Sequence, residues 1–405
     1  MPVCSVCRSP HLDRVLDLGP QPVSSHLTER PDAPFVQHEL RLAVCGHCGL
    51  VQLETPFPFR DLTPPYDWIT YREPEAHLDA VVDQVWALPG LGSESRAAGL
   101  SFKDASTLER LRRRGMRSVW PVDLVNDLGA TDRRANIESV QGLLTPEVAQ
   151  RLAGERGTVD VLFARHVVEH AEAPHAFLEA LGSLLSPEGY LVIEVPDCRD
   201  NLKRQDYTMI WEEHALYFTP ETLPPLLSAA GCAFVGTTLH EFAFENVLVM
   251  IGRKTGLAGE STADPAAIAR NVKLAEAFGA AFPQWTERYS EILNRWVADG
   301  RRAAAYGAGH LTCAFLHFHG FAEKFAFVVD DTPQKQGLFL PKSGITVVAR
   351  DKLDAKEIAA CLFGLSPDVE DKVIANNARY LEGGGEFHSM FADSRRSIRK
   401  LLSQA

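Results

Sequence analysis

No stretch of this 405-residue chain is apolar for long enough to cross a bilayer, and no basic-then-apolar leader pattern opens it. Basic residues are in deficit: 41 Lys and Arg stand against 53 Asp and Glu, a net charge of -12. A nucleic-acid surface needs clustered cations to neutralise phosphates, so that class of function is excluded. The short basic run at 110–114 reads as the solvated face of a helix. Internal repeats and low-complexity tracts are also missing. The expectation left by these absences is a cytoplasmic protein with reduced cysteines, binding neither nucleic acid nor membrane. Its 45% hydrophobic and 23% charged residues are those of a globular chain, and its length suits two to three domains.

Four of the eight cysteines come in pairs, Cys4-Ser-Val-Cys7 and Cys45-Gly-His-Cys48. A C-x-x-C turn converges two thiolates on one metal, and two such turns complete a tetrahedral Cys4 shell. The second continues into Gly49, which relieves backbone crowding. Four protein ligands leave no open coordination position, so the predicted zinc is structural and His47 is an exposed neighbour. The competing reading, a redox dithiol, needs only one pair. Cys198, Cys232, Cys313 and Cys361 stand singly and read as buried small hydrophobes.

Beyond the cysteines, apolar runs alternate with helical patterns, as an α/β fold requires. Strands are predicted at 96–102, 118–123, 159–164, 190–195, 234–239 and 247–252, with helices at 106–114, 176–185 and 223–231. The near-continuous apolar runs at 159–164 and 190–195 indicate a parallel sheet covered on both faces. A helical connector is predicted at 265–299, followed by a second α/β unit that opens with the segment 302–309 and has its next strand at 325–331. The expected domains are a zinc module (1–72), a Rossmann-like domain (73–255), the connector (256–299) and a C-terminal α/β domain (300–405).

An ordered set of motifs runs through most of the chain. It comprises Cys4-x-x-Cys7, Leu18-Gly-Pro-Gln-Pro-Val-Ser24, Cys45-Gly-His-Cys-Gly-Leu-Val-Gln52 and Tyr66-Asp-Trp-Ile-Thr70. Trp211-Glu-Glu-His-Ala-Leu-Tyr-Phe-Thr219, Tyr306-Gly-Ala-Gly309 and Asp330-Asp-Thr-Pro-Gln-Lys-Gln-Gly337 follow. This set resembles the three-domain, zinc-containing, S-adenosylmethionine (SAM)-dependent C-methyltransferases that act on nucleotide-linked deoxysugars. The resemblance implies a class I methyltransferase domain in the middle and a C-terminal domain that helps hold the sugar nucleotide. It also implies that the segment holding Tyr66 and Tyr71 closes over the active site and touches substrate.

Methylating a carbon beside a ketone requires a base to remove a proton and a methyl donor held in line. The resemblance assigns base and sugar-binding roles to Glu213, His214 and Tyr217. His214 is the predicted base, since imidazole transfers protons near neutral pH; a plain helix-capping role for Glu213 and His214 is the alternative. Arg165 and His166 follow a strand where such enzymes line the methyl-transfer pocket. His166 and His170, at i and i+4, could share a helix face and hold a metal, although the usual accompanying carboxylate motif is missing. Asp197 lies at a strand's carboxyl end, where open α/β sheets bind ligands. Gly307 and Gly309 form a turn whose N–H groups could approach a phosphate, with Asp330, Lys335 and Gln336 as further nucleotide contacts, or else a packing turn.

The chain departs from the family where the cofactor loop should be. In place of an acidic glycine-rich segment stands Ala98-Gly-Leu-Ser-Phe-Lys-Asp-Ala-Ser-Thr107, with only Gly99 retained and Phe102 and Lys103 crowding the turn. Asp123 remains as a candidate for the adenosine ribose. One reading is a rewired loop binding SAM through Ser101, Asp104 and Ser106. Another is acid/base chemistry without SAM, and a third is a non-catalytic sugar-nucleotide-binding subunit. Near the end, Phe363-Gly-Leu-Ser-Pro-Asp368 replaces the family's aromatic, amide-rich segment, which points to a different acceptor.

Overall fold

The computed structural model describes residues 2–66, 75–132, 134–242, 245–256, 264–298 and 300–404. Two compact units share the chain: residues 1–14, 42–199 and 213–275 form one, and 15–41, 200–212 and 276–405 the other. Among the described residues no helix is long and apolar enough to cross a membrane.

Strands β1 (Leu12–Pro22) and β2 (Gln37–Cys45) run through both units, whereas β3 (Val51–Leu53) lies in the first. There β3 pairs antiparallel with β2 through Leu42–Leu53, Ala43–Gln52 and Val44–Val51. Its other edge takes a strand from far along the chain, Leu216–Tyr217.

The large sheet of the first unit is built from strands that are apolar on both faces. It contains β4 (Arg96–Gly99), β5 (Ser118–Pro121), β6 (Val159–Arg165) and β7 (Leu185–Pro196). With Leu216–Tyr217 numbered β8, the sheet is completed by β9 (Cys232–His240) and β10 (Val247–Lys254). The order is β5-β4-β6-β7-β10-β9, parallel from β5 to β7, with β10 antiparallel to both of its neighbours. Every residue of β6 except Asp160 is buried, as a strand covered on both faces must be. One apolar cluster gathers Leu162, Leu191 and Phe177 together with Cys4, Cys45 and Cys48. A second holds Val81, Leu108, Phe163 and Val249. The zinc module and the central domain therefore share one core.

Two expected elements differ. The strand at 96–102 stops at Gly99, because Ser101 and Asp104 form a reciprocal capping box that opens a helical turn. The expected helix at 223–231 is a short 3-10 turn, Pro224–Ser228.

The second unit carries a wholly parallel sheet: β11 (Arg302–Tyr306), β12 (Phe325–Val329), β13 (Val347–Val348), β14 (Ile358–Phe363) and β15 (Glu386–Ser389). Its order is β13-β12-β11-β14-β15. Tyr306, Phe363, Tyr380 and Phe387 are in its core. The helix Pro265–Val297 begins in the first unit and continues in the second.

Candidate active site

The cysteine quartet fits zinc. Cys4 Sγ lies 3.7 Å from Cys48 Sγ and Cys7 Sγ 3.5 Å from Cys45 Sγ. All four sulfurs lie within 4.8 Å of one another. A tetrahedron with Zn–S bonds of about 2.3 Å has S–S edges of about 3.8 Å, so one zinc ion fits the enclosed space. Gly49 turns the second pair at φ +75°, and its N–H donates to the Cys45 carbonyl.

This module is hydrogen-bonded to the segment that carries the predicted base. Ser5, inside the first C-x-x-C turn, donates its N–H and its hydroxyl to Gln52 Oε1, at 3.0 and 3.2 Å. Gln52 belongs to β3, which pairs with β8 through Val51–Tyr217 and Gln52–Leu216. Ala215, just before β8, accepts from Leu53 N–H at 2.9 Å and donates to the Glu169 carbonyl at 2.8 Å. Glu213, His214 and Tyr217 are all buried on this segment.

His214 faces a partner that the sequence pattern places elsewhere. Its ring lies 4.9 Å from His170, perpendicular to it, and 6.3 Å from Tyr217. Ligand atoms of Glu169, His170 and His214 all fall within 4.8 Å of one another. Burial pushes the His170 imidazole below its ordinary value, against the opposing pull of Glu169 and a hydrogen bond to the Glu213 backbone. His170 is therefore neutral at pH 7. The expected His166–His170 helix face is not formed. Only Val168–His170 is helical, a single 3-10 turn, and His166 sits at φ +50°. There His166 meets Glu194 at 3.1 Å and Glu169 at 3.3 Å.

The turn after β4 is occupied by the protein itself. Asp104 is fully buried, and its carboxylate accepts from the N–H groups of Leu100 (2.8 Å), Ser101 (3.0 Å) and Arg165 (3.2 Å). A Cβ on Gly99 would stand 2.4 Å from Asp104 Cβ, so Gly99 is bare to admit Asp104. Ser101 caps the turn by accepting from Lys103 N–H. Arg165 is buried against Glu194 at 2.9 Å and donates to the Lys103 carbonyl. Asp123 lies in an exposed turn, its Oδ1 accepting from Val125 and Asn126 N–H. Leu100 and Ser101 thus offer a cofactor no free N–H. Polar capacity is found instead at the carboxyl end of β6, where Glu169 Oε2 and His170 Nδ1 are buried with no hydrogen-bond partner among the described residues. That strand end is where open α/β sheets receive ligands, and its donor set suits the ammonium and sulfonium cations of SAM.

In the second unit, Gly307 takes φ +103°, and a Cβ there would meet Leu365 Cδ2 at 2.6 Å. Gly309 starts the helix His310–Phe318. Asp330 accepts from Ala308 N–H at 2.8 Å and from Lys335 Nζ at 3.1 Å, while Lys335 also donates to the Ala308 carbonyl. Gln336 donates to the Asp330 carbonyl. Asp330 and Lys335 hence close the turn upon themselves.

Asp197 is buried in the first unit; its N–H donates to the Asn246 carbonyl and its carboxylate accepts from Arg199 N–H. Tyr66 is half-buried, and Tyr71 lies outside the described residues. Two buried networks escape a reading of the sequence. In the first unit Glu194 gathers His77 (3.0 Å), Arg165 and His166, which hold its carboxyl well below the usual range despite burial. In the second, Glu212 joins Ser24 and His310. Neither has a fixed spacing that a sequence motif could reveal.

Three family models match the chain in succession. They are a zinc binding domain over residues 4–62, a methyltransferase domain over 96–236 and a C-methyltransferase C-terminal domain over 260–391. The C-methyltransferase NovU of Streptomyces niveus is 25% identical over 400 residues, covering 95% of this chain and 94% of that protein. Among solved structures, the 1,6-didemethyltoxoflavin-N1-methyltransferase of Burkholderia thailandensis is 19% identical with a TM-score of 0.31, covering 45% of this chain and 79% of its own. Magnesium protoporphyrin IX methyltransferase of Synechocystis is 14% identical with a TM-score of 0.30, covering 44% and 81%. Those two overlaps are too partial to bear on function.

Proposed function

Because the chain belongs to the zinc-containing, SAM-dependent C-methyltransferases, we propose that it methylates a carbon beside the carbonyl of a nucleotide-activated sugar, with His214 as the base. The observation that carries this reading is the Glu169–His170–His214 cluster at the carboxyl end of β6. When bound, SAM supplies the electrophilic methyl group. Glu169 and His170 would hold it, through the buried atoms that lack a protein partner.

His214 takes a proton from the substrate carbon and becomes an imidazolium. The neighbouring ring, His170, is uncharged and adds no like-charge repulsion. The Glu169 carboxylate, in the same cluster, favours the new cation. The buried walls around the cluster exclude water and strengthen both effects. Tyr217, paired with Val51 of β3, fixes the segment that carries the base.

The test is His214→Ala. Turnover and solvent-hydrogen exchange at the substrate carbon should both fall by about a hundredfold or more, the usual weight of a general base, while SAM binding by calorimetry is retained. Exchange at the wild-type rate would remove His214 from the base role. Absence of SAM binding by the wild-type protein would exclude a cofactor held by Glu169 and His170.

A further inference from the structure

The second unit contains an imidazole oriented as if for a ligand, and the methyl-transfer chemistry does not use it. Glu212 is buried, and its carboxylate is pinned by the N–H and hydroxyl of Ser24 at 2.5 and 2.6 Å. Its other oxygen lies 3.1 Å from His310 Nδ1. The indole of Trp211 stacks on the His310 ring, 4.7 Å between centroids and 22° from parallel. Carboxylate and indole together fix both the rotation and the tautomer of the imidazole. With Nδ1–H donating to an ionised Glu212, Nε2 carries a lone pair. That atom is buried and has no partner among the described residues, in a residue only 9% exposed. An unsatisfied buried acceptor is costly, so a group held this firmly without a partner points to one that arrives later.

We propose that His310 Nε2 is a specificity-determining hydrogen-bond acceptor for the second unit's ligand, taking a hydroxyl or ring N–H of that ligand. His310 is the first residue of the helix that follows the Gly307–Gly309 turn, and no side chain caps that helix. A ligand that reached both the helix start and Nε2 would meet backbone N–H donors and one acceptor. A phosphorylated sugar or nucleoside offers both complements, an oxyanion and a hydroxyl or imide hydrogen. Glu212 and Ser24 act through His310 and are positioning residues. The substrate class rests on the nucleotide-sugar reading; the polarity of Nε2 does not.

Two measurements separate these dependencies. First, two-bond proton–nitrogen NMR of histidine-labelled protein near pH 7 should show His310 protonated at Nδ1 and bare at Nε2. A proton on Nε2 would overturn the proposal whatever the substrate is. Second, calorimetry with thymidine diphosphate, glucose 1-phosphate and thymidine diphosphate glucose compares wild type with Glu212→Gln and His310→Ala. In Glu212→Gln the new amide keeps an oxygen for Ser24 but presents N–H to Nδ1, which moves the imidazole proton to Nε2 and turns the acceptor into a donor. Both variants should melt cooperatively and bind roughly tenfold to hundredfold more weakly, the loss expected when a buried hydrogen bond goes unmade. Loss with glucose 1-phosphate assigns the contact to a sugar hydroxyl; loss with thymidine diphosphate alone assigns it to the nucleoside. Wild-type binding with unchanged affinity in folded His310→Ala would overturn the assignment of His310 alone. If wild type bound none of the three probes, the nucleotide-sugar reading and this ligand class would fall together.

Discussion

The turns after β4 and β11 have a similar place in their sheets, different sequences and different interiors. Each follows a parallel strand, carries a glycine and ends in a helix, and each has an aspartate that accepts from the turn's backbone. In the first turn that aspartate is Asp104, wholly buried beside Gly99 and bonded to three amides. In the second it is Asp330, which takes a single turn amide, Ala308, and is neutralised by Lys335. Around Gly309 no atom lies within 4 Å of where a Cβ would be. The first turn is plugged by its own side chain; the second is crowded at Gly307 by Leu365 and open at Gly309. A glycine after a strand therefore signals only that something approaches the backbone closely, and that something can be a carboxylate of the same chain.

The contrast can be sharpened or broken by four experiments. The largest effect is expected at the zinc end of the first unit, on which that unit's chemistry leans. Cys45→Ser should abolish zinc binding, measured by metal analysis, and impair substrate binding and turnover as β3 loses its anchor to Ser5. Metal lost with kinetics intact would uncouple the zinc from the site. Next comes Gly99→Ala, where the new methyl group meets Asp104 at 2.4 Å. It should cost about 3 kcal/mol in denaturant unfolding, the upper range for overpacking, and a neutral result would mean the plug is loose.

A smaller effect concerns pH. Burial pushes Asp104 up to about 7, against the opposing pull of Arg165 and the amide donors. In the unfolded chain an aspartate titrates near about 4. The native state then holds a proton that the unfolded state has released, so stability falls as pH rises from about 4 to about 7 and levels above that. Relative to Asp104→Asn, the wild type should lose stability between pH 5 and 8 in urea melts; a difference constant with pH would show Asp104 ionised throughout. The smallest effect is Gly309→Ala, expected within about 1 kcal/mol because the backbone is extended at φ -146° and the space is open. A large loss there would erase the distinction between the two turns.

Much of the fold is legible in the sequence, because strands buried on both faces leave unbroken apolar runs such as 159–164 and 190–195. The cysteine quartet is legible for a different reason: metal geometry imposes a fixed local spacing. Boundaries are lost where side chains intervene, as when Ser101 and Asp104 end a strand that apolar pattern alone would extend to Phe102. Of the candidate site, the segment holding Glu213, His214 and Tyr217 can be found from its motif, but its partner cannot. Helical spacing pairs His170 with His166, and the left-handed backbone at His166 breaks that register. The partnerships of Glu194, Glu212 and His310 cannot be read from the sequence, because their neighbours come from distant points in the chain. Such contacts leave no period to read.

The pairing of β3 with β8 also has a bearing on how the chain is made. Synthesis delivers the cysteines and β3 first, while β8 follows only after the whole parallel core of the first unit. During that interval one flank of β3 presents open N–H and carbonyl groups, an invitation to pair with a second molecule. A fragment ending before Leu216 keeps that flank permanently exposed. The three residues of β3 limit the hazard by being few.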